Sequence, residues 1–454
     1  MNIPIVSGLR ELDRAPRRFL LFIVFNVISW QCIVGPSLVL FGRKIGMDPS
    51  WVGFLISFMP LSQLLVVVTA RAVTRLGSKR VMFTAWMLRN LVSCTIFLMP
   101  WAMFHWGQKA GAYVLMFATL GFCLMRAVGS GGWFPWLHEV VPHTQRGIYF
   151  SSETAVTQLL SVILMAAQAF VLRGDPSINR FLLIYGAGVC SGFFSLLWMS
   201  QVPGGEGTGN DAPPETYSAH GKALADRAYM KFIVVAGLCF AAQTWFGSAI
   251  VMYMRDALHI SSQNIMLYIS AGSLGILCTV GFWGRYAEHS GSGAAMSLTL
   301  VGYSLTALAC LTLQPGSAFA SYGLAPVIVL TSVFAAAFAV GVNRALLHYV
   351  KEQGRVGYTN IWSVGAALST GVTPILAGLA IDHLGLWGYR LCFALSGVAG
   401  LVCAVACRFV VHEERTVRRR VAFSALRPDL PLRTLANIVR ITVGGHESNS
   451  RNHT

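Results

Sequence analysis

The chain is poor in charge. Only 11% of its 454 residues are Asp, Glu, Lys or Arg, against about 25% in a soluble globular domain. Acid is scarcer than base, with 18 carboxylates facing 34 Lys and Arg side chains and a formal net charge of +16. Within the apolar stretches almost no acid occurs, and Glu153 is the best placed of the few. Bare hard cations need several oxygen ligands, so their transport loses ground. No phosphate-cradling loop, no Ser-His-Asp set and no His/Cys metal spacing stands out. That argues against an enzyme and gives no ground for a cofactor or a bound metal. The ten cysteines contain no CxxC pair, and those inside apolar runs read as small hydrophobes.

What the chain does contain is apolar length. Hydrophobic residues make up 55%, and the mean hydropathy is +0.61. Runs of about 20 apolar residues recur along nearly all of it, which is the length that crosses a bilayer as a helix. The basic excess does not point to nucleic acid. It sits at the ends of the apolar runs and in the C-terminal tail, where a membrane protein places it. The first apolar run, preceded by Arg10, Arg14, Arg17 and Arg18, is too long for a signal-peptide core and reads as a retained first span.

Length and apolarity predict twelve spans, near 18–40, 50–72, 80–101, 112–134, 150–172, 180–200, 229–252, 263–284, 294–314, 322–343, 358–381 and 389–410. Most Lys and Arg then fall on the side that holds both termini, most clearly Arg71, Arg75, Lys79 and Arg80. The positive-inside rule makes that side cytoplasmic. The expected organisation is a cytoplasmic segment 1–17, a six-helix bundle 18–200, a Gly- and Pro-rich linker 201–228, a second bundle 229–411 and a basic tail 412–454. In the tail, Leu432, Leu435, Ile438 and Val439 can share one helix face, which suits a helix lying on anionic inner-leaflet lipid; an unstructured tail is the other reading.

The two bundles look duplicated. Gly77 and Ser78 match Gly291 and Ser292; Leu137, His138, Arg146 and Tyr149 match Leu347, His348, Arg355 and Tyr358. Both loops give an offset near 210 residues. Parallel repeats of six spans are a transporter architecture.

With these features the chain resembles the major facilitator superfamily, over almost its whole length. In that family the loop between spans two and three carries Gly-x-x-x-Asp-x-x-Gly-x-Arg/Lys-Arg/Lys. Here the first copy reads Ala70, Thr74, Gly77, Lys79 and Arg80, with Thr in place of the acid; the second keeps Gly284, Glu288 and Gly291. The resemblance implies a gating role for these loops, with the first ionic latch weakened. It also implies an arginine in span four followed by glycine, which Arg126 with AVGSGG supplies. The Gly-Pro-Gly-Gly element of drug–proton antiporters is missing from span five.

Arg126 is the sharpest candidate for chemistry. It falls close to mid-membrane, where a guanidinium costs a few kcal/mol unless it meets protein or water. It can anchor an anionic substrate group through a bidentate contact, or bond to backbone carbonyls as a structural arginine. Arg89, nearer the cytoplasmic end of a peripheral span, is expected to snorkel. Amides and aromatics at depth form the rest of the candidate substrate site: Asn26, Trp30, Gln31, Gln63, Gln158, Gln243, Trp245, Tyr268 and Trp362. Such groups suit an organic solute, and they also suit plain helix packing. Glu153 is the candidate proton carrier. The expectation is an all-α secondary transporter of a small organic solute, an anion among the candidates, working by alternating access in a bacterial inner membrane. An anionic metal chelate fits the same charge logic. A membrane sensor or assembly factor on the same fold is the alternative.

Overall fold

The computed structural model describes residues 12–142, 145–206, 215–314, 318–351 and 355–411. Among them the chain is all helix. Eleven helices are long and apolar enough to cross a membrane. The remaining predicted span begins as Pro49–Ser62, passes through a 3-10 turn at Gln63–Leu65 and ends as Val66–Leu76. Pro60 lies inside its first segment. A proline ring removes a backbone donor and crowds the preceding turn, so this span is interrupted where a single straight helix was expected.

The spans in order are Arg14–Lys44, Pro49–Leu76, Ser78–Trp106, Gln108–Ser130, Arg146–Val171, Ile178–Ser200, Arg227–Asp256, Ser262–Ser290, Ser292–Thr312, Ala318–Tyr349, Arg355–Leu384 and Leu386–Val410. Twelve crossings put the first helix start, the 201–226 connection and Val411 at one face, called here the terminal face. The linker is not all loop, because Glu215–Ala225 is helical and packs on the eleventh span. The basic tail lies outside the described residues.

The duplication seen in the sequence is repeated in the backbone. Gly77 and Gly291 carry φ of 89° and 82° between their spans, a left-handed conformation that suits glycine. Each closes the preceding helix, Gly77 N–H to Val73 O and Gly291 N–H to Ala287 O at 3.0 Å. Each also opens the next, accepting from Val81 and Ala295 at 3.1 Å.

Buried apolar side chains form three clusters, and their placement describes the shape. One runs through both bundles near the face opposite the termini, joining residues such as Leu40, Phe41, Val52 and Phe181 to Ile250, Met252, Ile381 and Phe393. The other two are separate. Phe19, Phe22, Trp86, Trp136 and Tyr149 belong to the first bundle alone, and Tyr229, Phe232, Phe338 and Cys407 to the second. The bundles therefore share a core at one face and part toward the other.

Close contacts between the bundles agree. A Cβ added at Gly53 would stand 2.3 Å from Pro374 O, and one at Gly378 would stand 2.5 Å from Pro49 O. Spans two and eleven thus touch backbone to backbone near the shared core. Ser50 N–H donates to Asp382 Oδ2 at 2.9 Å, and Ser270 Oγ–H to Val162 O at 3.1 Å. At the rim Arg43 pairs with Asp256 at 2.9 Å, and Arg255 donates to Leu40 O at 2.8 Å. Toward the terminal face, Val66–Leu76 packs on spans three and four of its own bundle.

Candidate functional site

The fourth span decides where Arg126 points. Tyr113, Phe117 and Leu120 are exposed on one side of this helix, at 60%, 61% and 37%, and that side faces lipid. Arg126 follows Phe117 by two and a half turns at 3.6 residues per turn, so it lies on the opposite side. It follows the fully buried Phe122 by about one turn. Gly129, on the same interior side, lets the ring of Trp86 approach; a Cβ there would meet it at 2.2 Å. Arg126 is nonetheless only half-buried. It stands about 27 Å along the helix from Gln108 and one turn before the helix ends at Ser130. It has no hydrogen bond and no ion pair among the described residues.

Arg89 departs from expectation. It does not snorkel. Its side chain is fully buried at 0% exposure. Its Nη1 donates to Asn26 Oδ1 at 2.8 Å, its Nε to Asn90 Oδ1 at 3.2 Å and its Nη2 to Ser29 Oγ at 3.4 Å. The guanidinium lies 5.0 Å from the ring centre of Trp86 and 4.7 Å from that of Phe122, within range of cation–π attraction. Peripheral position was implied by the family resemblance; Trp86 and Asn90 lie beside Arg89 on its own helix, but Asn26, Ser29 and Phe122 reach it only through the tertiary fold.

Asn26 is occupied by this cage. Its Oδ1 accepts from both Arg89 and Trp86 Nε1. Gln31 is buried, and its Nε2 donates to Ser161 Oγ at 2.5 Å while its Oε1 has no partner. Gln243, its repeat counterpart, has an unpartnered buried Nε2. Gln63 accepts from Ser130 Oγ at 3.5 Å. Gln158 and Glu153 are half-buried on the fifth span, with no described partner. Trp30, Trp245 and Tyr268 pack against the shared core, and Trp362 stacks on Phe232 at 5.8 Å in the second bundle. The structure thus groups Arg126, Phe122, Arg89 and Asn26, while Trp362 belongs to the separate core of the other bundle.

The predicted gating loops divide. Lys79 donates to Ser200 O and Val202 O at 3.0 and 2.6 Å, and so caps the end of the sixth span. Arg80 and Glu288 are exposed, and Glu288 forms no ion pair among the described residues. An added Cβ at Gly284 or Gly291 would meet nothing within 4 Å. The Thr74 side chain lies outside the described residues. Sequence reading missed the rim pair of Arg43 and Asp256, whose only signal was a charge at the end of spans one and seven. It also missed Asp226, which caps the seventh span through Ala228 and Tyr229 N–H and binds Tyr358 OH and Lys351. Burial-independent pairing with the Lys351 ammonium holds the Asp226 carboxyl below the usual carboxylate range.

A family model described as the Major Facilitator Superfamily matches residues 232–442. The first bundle lies outside that match. Over the matched residues, a little under half of the chain, the sequence is similar to that superfamily. The fold is similar to that of the nucleoside transporter NupG, with a TM-score of 0.67, 11% identity and coverage of 88% of this chain and 100% of that one. A bacterial homologue of the iron transporter ferroportin, in an inward-facing state, gives 0.66, 16% identity and coverage of 88% and 99%. A POT family transporter in complex with 5-aminolevulinic acid gives 0.66, 11% identity and coverage of 88% and 96%. At these identities the likeness concerns the fold. No curated protein matches the sequence.

Proposed function

We propose that this transporter carries a small organic anion by alternating access, with Arg126 as the anchor. The observation that carries the reading is a guanidinium one turn from the end of the fourth span, on the interior side of its helix, partly buried and without a hydrogen bond or ion pair among the described residues. Such a charge is costly in a membrane unless something meets it, and a planar donor fork suits a carboxylate or phosphate. Gln63, Gln158, Gln31 and Gln243 supply amides for the uncharged part of the solute, with Trp30, Trp245 and Tyr268 behind them. Among the described residues no group of three His, Cys, Asp or Glu is placed to hold a metal ion, so a metal would enter this site only as an anionic chelate.

The basic terminal face supports an orientation with that face in the cytoplasm, and a bacterial inner membrane is the setting we favour. The described conformation is then open inward. The basic tail would meet anionic lipid of the same leaflet. Glu153, half-buried and unpartnered, is the proton-coupling residue in this scheme. Glu153→Gln then abolishes pH-driven transport and spares exchange; an unchanged pH dependence removes that role.

The test of the anchor is a thermal-shift screen of purified protein against a solute library, beside Arg126→Ala. A ligand that binds only the folded state raises its melting temperature by mass action. Charged hydrogen bonds contribute about 1.5–3 kcal/mol each, so the variant should bind anionic hits about 10- to 100-fold more weakly. Anionic hits that persist unchanged in a folded variant would make Arg126 structural.

A further inference from the structure

On the reading of Arg126 as the anchor, we infer that the transported anion carries an apolar body, and that this body rests on the seventh span. One side of the helix Arg227–Asp256 carries the observation. Val234, Leu238, Ala241, Trp245, Met252 and Asp256 recur at helical spacing, so they share that side. Val234 and Leu238 are exposed at 57% and 56%, Ala241 and Trp245 are half-buried, and Met252 is fully buried. At the end of the row Asp256 meets Arg43 of the first bundle. A side that faced lipid would stay exposed along the whole helix. This one is covered where the bundles touch and bare where they part, so it faces the opening between them.

Spans four and seven flank one seam. Spans two and eleven touch backbone to backbone at Gly53 and Pro374. Span four packs on span two, and span seven packs on span eleven. Spans four and seven therefore stand beside that seam in opposite bundles. Arg126 lies near the end of Gln108–Ser130, and Val234 and Leu238 lie in the first half of Arg227–Asp256. All three are in the half of their span nearer the terminal face. Toward that face the next residue on the same side of span seven is Lys231, exposed at the mouth.

The second bundle brings no free acid to Arg126. Its described acids are Asp226, already bound to Lys351, Asp256 and Asp382 near the rim, and Glu288 in the last turn of span eight. Glu153 belongs to the same bundle as Arg126 and forms no ion pair among the described residues. When the terminal face closes, span seven therefore carries hydrocarbon toward the seam that Arg126 flanks. Hydrocarbon does not replace water around a charge. A solute between the two spans supplies what each lacks: an anionic head for Arg126 and a carbon body that covers Val234, Leu238 and Ala241. A sugar acid or a polyol phosphate would turn hydroxyls onto these three side chains, which offer them no hydrogen bond. Gln63 and Gln158, on the first bundle, are left for the atoms next to the charge.

The test is equilibrium binding by the purified full-length protein of two series of anions: carboxylates from acetate to hexanoate, and monoesters from methyl to butyl phosphate. Gluconate and glycerol phosphate are the polar controls. Affinity should rise about two- to fourfold with each added methylene, and the controls should bind no more tightly than the shortest members. Whichever series binds tells carboxylate from phosphate. Leu238→Asn should flatten the rise, and Leu238→Met, which keeps the hydrocarbon, should retain it. If affinity is independent of chain length, or if gluconate binds as tightly as hexanoate, the inference fails while Arg126 stands as an anion anchor. If Leu238→Asn changes every affinity by one common factor and leaves the rise intact, span seven only seals the terminal face, and the inference fails again. If no anion of either series binds and neither control does, the anion reading fails with it. The native series needs no variant to fold.

Discussion

Asp256→Asn should move the balance between the two conformations of this transporter. In the described conformation Arg43 Nε stands 2.9 Å from Asp256 Oδ2 across the bundles, with both side chains about one-fifth exposed, at 21% and 22%. The Nε–H is not aimed at the carboxylate, so the contact is ionic rather than a good hydrogen bond. Exposed pairs contribute about 0.2–1 kcal/mol. Partial burial weakens screening and puts this pair at the upper end, about 1 kcal/mol. Asn keeps the shape and still accepts from Tyr389 OH, which now reaches Asp256 at 3.1 Å. The loss is therefore the ionic part alone. At 1.36 kcal/mol per tenfold change, the population open at this rim should rise about fivefold. Spin labels at Lys109 and Asn264, both exposed near that rim, report the distance between bundles in a cysteine-free background. The longer distance should gain weight in Asp256→Asn, and the swap of Arg43→Asp with Asp256→Arg should restore the original distribution. Identical distributions in native protein and single variant would show that the rim pair does not hold the bundles.

Two further perturbations test the packing. Gly53→Val places branched carbon where Pro374 O already stands 2.3 Å from an ideal Cβ, so spans two and eleven cannot close; the same labels should report a rim held open, and transport should fall at least tenfold. Asp226→Ala removes the cap of the seventh span, a loss of about 1 kcal/mol, and should lower the melting temperature. The Asp226 carboxyl lies below the usual range because Lys351 hydrogen-bonds it. Its pairing is therefore complete above a pH of about 4 and is lost as pH falls further. The difference in melting temperature between native protein and Asp226→Ala should shrink only in that acid range.

Much of the fold was legible from apolar length. Twelve runs gave twelve crossings because a bilayer fixes helix length, and the paired loops gave the two bundles. The break in the second span was less visible, since proline is often carried inside membrane helices. Counting residues put Arg126 near the middle of its span, but the helix begins and ends four residues earlier than predicted, at Gln108 and Ser130, which leaves Arg126 one turn from its end. Arg89 could not be placed by counting: its depth along the helix was readable, and so was Trp86 three residues before it, but its enclosure depends on Asn26 and Phe122 from two other spans that meet it only in the fold. Lys79 was assigned to gating by its motif, whereas its ammonium caps a helix end far along the chain. The rim pair of Arg43 and Asp256 joins residues more than 200 positions apart, and no spacing announces it.

The three apolar clusters also bear on heat capacity. Opening the rim splits the one cluster that both bundles share and wets apolar surface where spans two and eleven now touch. The two clusters at the terminal face stay within their own bundles and need not be split by either conformation. The two conformations then differ in the apolar area in contact with water, and such a difference carries a heat-capacity change. Cooling weakens the attraction between apolar surfaces, so the shared core loosens in the cold while the bundles themselves do not. Turnover should accordingly follow a curved rather than a straight Arrhenius line, with the curvature arising from a seam between two rigid halves.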